Sequence, residues 1–366
     1  MSGIAGVPAP GGYGLLQTLV ADSANVSQRL GQLTQQASTG FLSNTYSGLG
    51  AGASTSLNLN PEIANLQTWQ NNISAATGPM GVTQATMTQL QQIAANFYAD
   101  MPNLNGINPS EVDSVATSAQ DALKEVAGLL DTQDGGTYVF GGADSANPPV
   151  PDPSGILASG FYTQIATAVG SLGGAGAPAT AAATLGIASS NAAGTSPFSA
   201  YMSQPASALQ AQIPTVQTGE GQGTPIGLLA SANTAIASTG SSTTGSYMRD
   251  LMRSLATLGS LSSTQVNDAG FAGLVADTTS SLQGAISAMA GDTGVLGNRQ
   301  AALTATQTNL ADTQTALTTQ VGTAQDANMA QTLSDITQTQ TQLEASYQVI
   351  AGVSGLSLAK LLPLGA

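Results

Sequence analysis

The chain has 366 residues, of which only 7% are charged, and it contains no cysteine and no histidine. Without thiol or imidazole groups, the usual zinc and copper sites cannot be assembled and the commonest catalytic bases and nucleophiles are missing. The formal charge is −14 and the six cations are scattered along the chain, so no basic patch is available for nucleic acid or an anionic membrane. We therefore expect no catalytic residue, cofactor or metal site, and neither a nucleic-acid nor a membrane partner.

The first predicted helix covers residues 13–37. Its apolar and small residues recur in alternating three- and four-residue steps, which places them on one side of the helix. This spacing is typical of a coiled-coil seam that needs a second helix to cover it. The predicted seam residues are Leu16, Leu19, Val26, Leu30 and Leu33.

Two further helices are predicted before the middle of the chain. Pro61 suits the first turn of one, and Gly78-Pro79 is expected to kink or break it. The next helix is signalled by Asn108 as N-cap, Pro109 at the first position and Glu111 in a capping box.

The composition changes after Gly136. A short strand is predicted at 138–140, and residues 141–245 are rich in Gly, Pro, Ala and Ser without a sustained helical period. A hairpin is predicted in which 214–217 and 225–229 flank the glycine-rich stretch 219–223. That stretch lacks the spacing and the following lysine of a nucleotide-binding loop, so we interpret it as a turn.

Helical periodicity returns at Tyr247 and continues to the C-terminus. A seven-residue spacing runs from Leu296 to Leu317, and the pattern slips by one residue at 326–329. Such a slip rotates the apolar face, so the helix is expected to bend or change partner there. The predicted C-terminal seam residues are Leu333, Ile336, Leu343, Tyr347 and Ile350.

These patterns predict a mainly α fold. The N- and C-terminal segments would form a long, antiparallel, coiled-coil-like bundle around a central inserted domain of α+β or β-rich type. Five parts are expected: an N-terminal assembly helix and loop at 1–60, a helical rod at 61–142 and 246–295, an outer insert at 143–245, and a C-terminal assembly helix at 296–366.

Three segments carry a resemblance to the bacterial flagellin family. The segment 131–142, with the sequence DTQDGGTYVFGG, resembles the end of the family's rod-like part, especially in the hook-associated branch. Residues 296–362 resemble the family's C-terminal domain, including AQDANMA at 324–330, and QASTG at 36–40 is similar to its N-terminal helix.

The resemblance implies a structural, non-enzymatic axial subunit of the bacterial flagellum, exported and located outside the cell. Its implied partners are other copies of itself, related axial proteins such as flagellin and hook-associated proteins, and an export chaperone. Filament flagellins commonly carry an acidic pair shortly after the first glycine break, whereas NTYSGLG stands at 44–50 here. This departure favours the junction between hook and filament, with the filament itself as the alternative.

A surface adhesin or binding module is the alternative of another class. In that case the glycine-rich insert would be the contact surface, and it would need to be stable as an independent domain.

Overall fold

The computed structural model describes residues 12–104 and 109–361, and it confirms a mainly α fold with long helices at both ends and a small amount of sheet in the middle. The chain divides into two compact units. The terminal unit combines Met1–Asn65 with Asp312–Ala366, and the central unit is Leu66–Ala311. Asn108, the predicted cap, lies outside the described residues.

The helices follow one another in chain order. They are α1 (Gly12–Thr39), α2 (Gly52–Asp100), α3 (Pro109–Leu130), α4 (Gly160–Gly170), α5 (Leu172–Ala175), α6 (Ala177–Ser189), α7 (Ala206–Gln210), α8 (Tyr247–Gly259), α9 (Phe271–Gln325) and α10 (Met329–Leu361). Single 3-10 turns occur at Tyr46–Leu49, Met101–Leu104, Ile156–Ala158 and Ser263–Gln265.

The predicted break at Gly78-Pro79 is wrong, because α2 runs through it without interruption. A proline inside a helix costs about 3 kcal/mol. The apolar residues on either side of the proline, Ile73 and Met80, are 0% and 1% exposed. Burying both offsets that cost, since each large apolar side chain contributes about 1.5–3 kcal/mol. The helix also begins earlier than predicted, at Gly52, so Pro61 lies within it.

The core of the central unit lies where α3 and α8 pack together and where the insert folds over them. Antiparallel pairing of α2 with α9 extends this framework. Gln91 Nε2 donates to Thr293 Oγ1 at 2.9 Å, and Gln307 Nε2 donates to Ser74 Oγ at 2.6 Å. Residues nearer the C-terminal end of α2 thus pair with residues nearer the N-terminal end of α9.

The insert is more helical than its sequence suggests. The helices α4 and α6 pack against each other and against α8. The helix α6 is built almost entirely of small residues and buries Thr180, Thr184 and Ala188, one residue per turn. Apolar periodicity does not predict such a helix, because its buried face is made of alanine and threonine.

Two short hairpins complete the central unit. The first joins β1 (Gln133–Asp134) to β2 (Thr137–Tyr138) through Gly135 and Gly136, both with positive φ, as a two-residue hairpin turn of this kind requires. The second joins β3 (Thr215–Gly219) to β4 (Gln222–Pro225). It confirms that a hairpin forms here, but the second strand lies at 222–225 and not at 225–229, so the turn is shorter than predicted.

Candidate assembly surface

In the terminal unit, two backbone hydrogen bonds join the C-terminal end of α1 to the N-terminal end of α10. The amide of Leu42 donates to the carbonyl of Gln325 at 2.7 Å, and the amide of Ala327 donates to the carbonyl of Gly40 at 2.8 Å. The end of α1 therefore lies beside the start of α10, and the two helices pack antiparallel. The predicted slip at 326–329 is a true break, since α9 ends at Gln325 and α10 begins at Met329.

The apolar stripe of α1 is turned toward its partner helix. Leu33 is 8% exposed and Ser23 is 5% exposed, and the other predicted positions are half-buried. Those half-buried positions are Leu16, Leu19, Val26 and Leu30. On α1, pairing with α10 thus uses nearly all of the apolar side chains; among its described side chains, only Val20 stands out as a large exposed one, at 51%.

The helix α10 has more apolar surface than α1 covers. Its inward face is centred on Thr332 and Thr339, which are 5% and 3% exposed. Three of the predicted seam residues, Ile336, Leu343 and Ile350, are half-buried beside these threonines. The other two, Leu333 and Tyr347, are 54% and 55% exposed.

These exposed residues form a second stripe along α10. Met329, Leu333, Gln340 and Tyr347 are spaced by four and seven residues, so they fall on one line beside the covered face. We call these four residues the outer stripe. The sequence pattern merged the covered face and the outer stripe into a single seam, because the two lie next to each other on the helix.

Exposed apolar side chains are concentrated in the terminal unit. Among residues 12–104 and 109–361, every large hydrophobic side chain counted as exposed belongs to this unit except Tyr98. The members in the terminal unit are Val20, Phe41, Leu42, Tyr46, Leu57, Met329, Leu333, Tyr347 and Val349. Conversely, the described residues of the main hydrophobic core all lie in the central unit. A unit with little core and many exposed apolar residues gains stability when another surface covers it.

The central unit contains buried charges that periodicity did not identify. The segment 230–246 forms neither helix nor strand, and Asp292, which is 0% exposed, holds it. Its carboxylate accepts from the amides of Thr234, Ala235 and Ile236 at 2.7–2.9 Å and from the Tyr247 hydroxyl at 2.9 Å. Burial, together with the nearby Asp292 charge, raises the pKa of Tyr247 well above its usual value.

Two arginines of α8 secure the same part of the insert. Arg249 donates to the carbonyls of Ser231, Ala188 and Ser190 at 3.0–3.2 Å, and its guanidinium lies 5.0 Å from the centre of the Phe198 ring. Burial lowers the pKa of Arg249 to about 10. Because every residue of α8 is buried, these cations are structural and are not available to partners. The i, i+4 spacing of Arg249 and Arg253 places them on one face of the helix but does not indicate that this face is buried.

Arg253 and Asp250 anchor the end of this segment. Arg253 donates to Ser242 Oγ at 2.6 Å and forms an ion pair with Asp277 at 3.3 Å. Asp250 accepts from Thr243 Oγ1 at 2.5 Å and from the Thr244 amide at 2.7 Å. Burial raises the pKa of Asp250, against the effect of these hydrogen bonds.

Asp131 marks the junction between α3 and the insert. Its Oδ1 accepts from the amide of Val150 at 2.9 Å, which ties the proline-rich start of the insert to the helix end. Burial raises the pKa of Asp131 to about 6, and the hydrogen bond from Val150 opposes this shift only in part. A carboxylate just beyond a helix C-terminus also faces the unfavourable end of the helix dipole.

None of the helices in the described ranges combines the length and the apolarity that a bilayer crossing requires. In the same ranges, no group of three or more carboxylates is arranged to hold a metal ion.

Comparison with known proteins gives two matches, one in the N-terminal and one in the C-terminal part of the sequence. Residues 16–145 match the bacterial flagellin N-terminal helical region, and residues 279–362 match the bacterial flagellin C-terminal helical region. A comparison with curated proteins finds no match. Flagellins are structural, non-enzymatic subunits that assemble into filaments outside the cell. With the two helical regions together spanning more than half of it, the chain belongs to the bacterial flagellin family.

Proposed function

We propose that this protein is an axial subunit at the junction between the flagellar hook and filament, held in place by contacts between its terminal unit and neighbouring subunits. The observation that carries the proposal is the concentration of exposed apolar side chains in a unit that has almost no core of its own. Burial of apolar surface is the main favourable term in protein association. In this proposal, assembly completes the folding of the terminal unit.

The helix α10 supplies the main contacts between subunits. Its outer stripe is left over after α1 has covered the inward face, and Leu333 and Tyr347 are its largest exposed side chains. The stripe is uncharged and adjoins the α1–α10 interface, so a helix of a neighbouring subunit can extend that packing sideways. The predicted seam residues thus divide into two groups. Those on α1 and on the inward face of α10 make contacts within the subunit, and those of the outer stripe, Leu333 and Tyr347, make contacts between subunits.

A polymer of this kind needs contacts that repeat without closing. A subunit that presents one surface to a different surface of the next copy generates a helical array. The outer stripe is one such surface. The exposed aromatic residues Phe41 and Tyr46, in the loop between α1 and α2, are candidates for the other.

The junction position rests on sequence features. The segment 138–142 resembles the hook-associated branch, and residues 44–50 lack the acidic pair that is common in filament flagellins. A junction subunit meets two kinds of neighbour, so its partners would be hook-associated proteins and flagellin as well as further copies of itself. An export chaperone would shield the apolar stripe of α10 before assembly, and the assembled protein would be extracellular.

The organisation of the insert argues against an adhesin. A binding module displayed on a rod would be an independently stable domain, but residues 143–245 belong to the same compact unit as α3 and α8. Phe161, Phe198 and Leu209 of the insert lie in the core that these helices share. The division of the chain into five domains remains a proposal.

Electron microscopy of the purified protein, with and without short filament seeds, tests the proposed position. We expect monomers or short caps from the protein alone, and addition at the ends of hook-like seeds. Long tubes formed by the protein alone would contradict the junction assignment and identify a filament flagellin. Failure to add to any seed, with the helical circular dichroism intact, would contradict the axial role itself.

A further inference from the structure

The methionines of the chain are unevenly exposed. Of the nine in the sequence, eight lie in the part of the chain that the structure describes. Seven of these are at most 2% exposed and belong to the core of the central unit, whereas Met329 is 40% exposed at the start of α10. The buried set consists of Met80, Met87, Met101, Met202, Met248, Met252 and Met289. In the folded protein, a solute therefore reaches the Met329 side chain much more readily than the buried set.

Methionine sulfur is the group of this chain that reacts most readily with peroxides. The chain has no cysteine, so no thiolate competes for the oxidant. A thioether needs no deprotonation before it reacts, so exposure decides which methionine is oxidised first.

Met329 is the first member of the outer stripe and lies on a fixed part of the backbone. Asn328 caps the helix, with its Oδ1 accepting from the Gln331 amide at 3.2 Å. One residue earlier, the amide of Ala327 donates to the carbonyl of Gly40. These bonds hold the first turn of α10 in place, so a chemical change at Met329 alters the outer stripe itself.

Oxidation turns this apolar side chain into a polar one. The sulfur lone pair of Met329 attacks an oxygen of hydrogen peroxide, the S–O bond forms and the O–O bond breaks. The departing hydroxide takes the proton from the transferred oxygen and leaves as water, so sulfur is oxidised to the sulfoxide and the peroxide is reduced. The sulfoxide oxygen accepts hydrogen bonds from water, and it loses them when an apolar surface covers it.

We propose that Met329 is an oxidation-sensitive switch for assembly. Oxidation by peroxides to the sulfoxide weakens the binding of the outer stripe to a neighbouring subunit, and enzymatic reduction restores it. The inference rests on the proposed function, in which the outer stripe makes that contact. The buried methionines remain reduced, so the central unit stays folded while the assembly surface changes. A neighbouring subunit covers the Met329 sulfur after assembly, so peroxides act on subunits that have not yet joined.

The first experiment measures where the full-length, unassembled protein is oxidised. The protein is treated with dilute hydrogen peroxide, and mass spectrometry of its peptides gives the sulfoxide fraction at each methionine over time. We expect Met329 to oxidise at least about tenfold faster than any core methionine, because the core must open before it reacts. In denaturant this difference should disappear. Helical circular dichroism of the protein oxidised at Met329 should be unchanged.

The second experiment measures addition to hook-like seeds by co-sedimentation, before and after mild oxidation. Oxidised protein should add at least about fivefold more weakly than untreated protein, because the sulfoxide must be desolvated. Treatment with methionine sulfoxide reductases should restore addition. Met329→Leu removes the thioether, so its addition after peroxide should stay within about twofold of its own untreated value.

Two double variants separate the outer stripe from thioether oxidation in general. Met329→Leu with Leu333→Met moves the thioether to another member of the outer stripe, at a position 54% exposed, and peroxide should again weaken addition. Met329→Leu with Ala330→Met places an exposed thioether away from the stripe. Its oxidation should leave addition within about twofold of the untreated variant.

Equal oxidation rates for Met329 and the core methionines would overturn the proposal, as would unchanged addition of protein oxidised at Met329. Equal sensitivity of the unmodified protein and Met329→Leu to peroxide would also overturn it. If untreated protein adds to no seed, the proposed function fails and the switch fails with it. If untreated protein adds and oxidised protein adds equally well, only the switch fails.

Discussion

The backbone hydrogen bond from Leu42 to Gln325 joins the ends of two helices that the sequence separates by most of its length. Together with the bond from Ala327 to Gly40, it sets the register between α1 and α10. That register decides which side chains of α10 are covered by α1. It therefore also decides that Leu333 and Tyr347 remain outside.

The outer stripe of α10 gives the most direct test of the assembly proposal. Leu333→Asp with Tyr347→Asp should weaken the addition of the protein to hook-like seeds by more than about tenfold, because burying these charges opposes contact between subunits. Both side chains are more than half exposed, so the helicity of the monomer should not change. Co-sedimentation with the seeds and circular dichroism of the monomer measure the two effects.

The control places the same charges on the opposite side of the same helix. Ala330→Asp with Gln348→Asp introduces two carboxylates at exposed positions away from both stripes. Assembly close to that of the unmodified protein is expected. An equal loss in both double variants would mean that added charge, and not the outer stripe, determines the outcome.

The inner face should behave differently, because it holds the subunit itself together. Leu33 is 8% exposed, so Leu33→Ala should lower the free energy of opening of the α1–α10 pair by about 2 kcal/mol, toward the low end for a buried leucine. Hydrogen exchange of the α1 and α10 amides in the monomer measures this. Val20→Ala, at a position 51% exposed on the same helix, should change it by less than about 0.5 kcal/mol. Similar effects of the two substitutions would contradict the assigned orientation of α1.

Asp292 should be among the most sensitive positions of the central unit. Asp292→Ala leaves three amides and the Tyr247 hydroxyl without their acceptor, and we expect it to lower the free energy of unfolding by roughly 3–5 kcal/mol. Tyr247→Phe removes only one donor and should cost about 1 kcal/mol. Denaturant unfolding of the monomer compares them. A small effect of Asp292→Ala would show that the segment 230–246 is held by other contacts.

Asp131 predicts a pH dependence with a definite sign. Its pKa is about 6 in the folded protein against an ordinary value of 3.8, so between these values the folded state binds more protons than the unfolded state. The contribution of this group to stability therefore rises as the pH falls through 6, and it is complete below 3.8. Asp250, whose pKa is also raised by burial, acts in the same direction.

Asp131→Asn isolates this contribution, because asparagine is neutral but can still accept from the Val150 amide. The variant should be more stable than the unmodified protein by about 1 kcal/mol at about pH 8, a value reduced for solvent screening of a half-exposed group. The two proteins should converge at about pH 4. Thermal unfolding across this range gives the difference, and a constant difference at all pH values would contradict the raised pKa.

Much of the helical framework could be predicted from apolar spacing and helix-breaking residues. The stripe of α1, the break at 326–329 and the hairpin around Gly221 all follow from local chemistry, and the structure contains each of them. The break predicted at Pro79 does not occur, because the free-energy cost of a proline within a helix is smaller than the free energy gained by burying the neighbouring apolar residues.

The candidate surface could be predicted only in part. The period of α10 shows that its apolar residues face a partner, but two adjacent faces with related periods cannot be told apart until the position of α1 is known. The buried network around Asp292 is harder still, because its donors come from a loop and its acceptor from a distant helix. No local sequence pattern predicts that the loop amides and this carboxylate lie together.

The pairing of α1 with α10 has a consequence for when the chain can fold its terminal unit and assemble. The first and last described helices complete each other, so neither has its final neighbour until almost the whole chain is present. Contacts between such distant segments form late and slowly. A shortened chain without α10 could still close the core of the central unit, yet the apolar stripe of α1 would lie bare and the outer stripe would not exist. Under the assembly proposal, only molecules that contain α10 can therefore offer a neighbouring subunit the outer stripe.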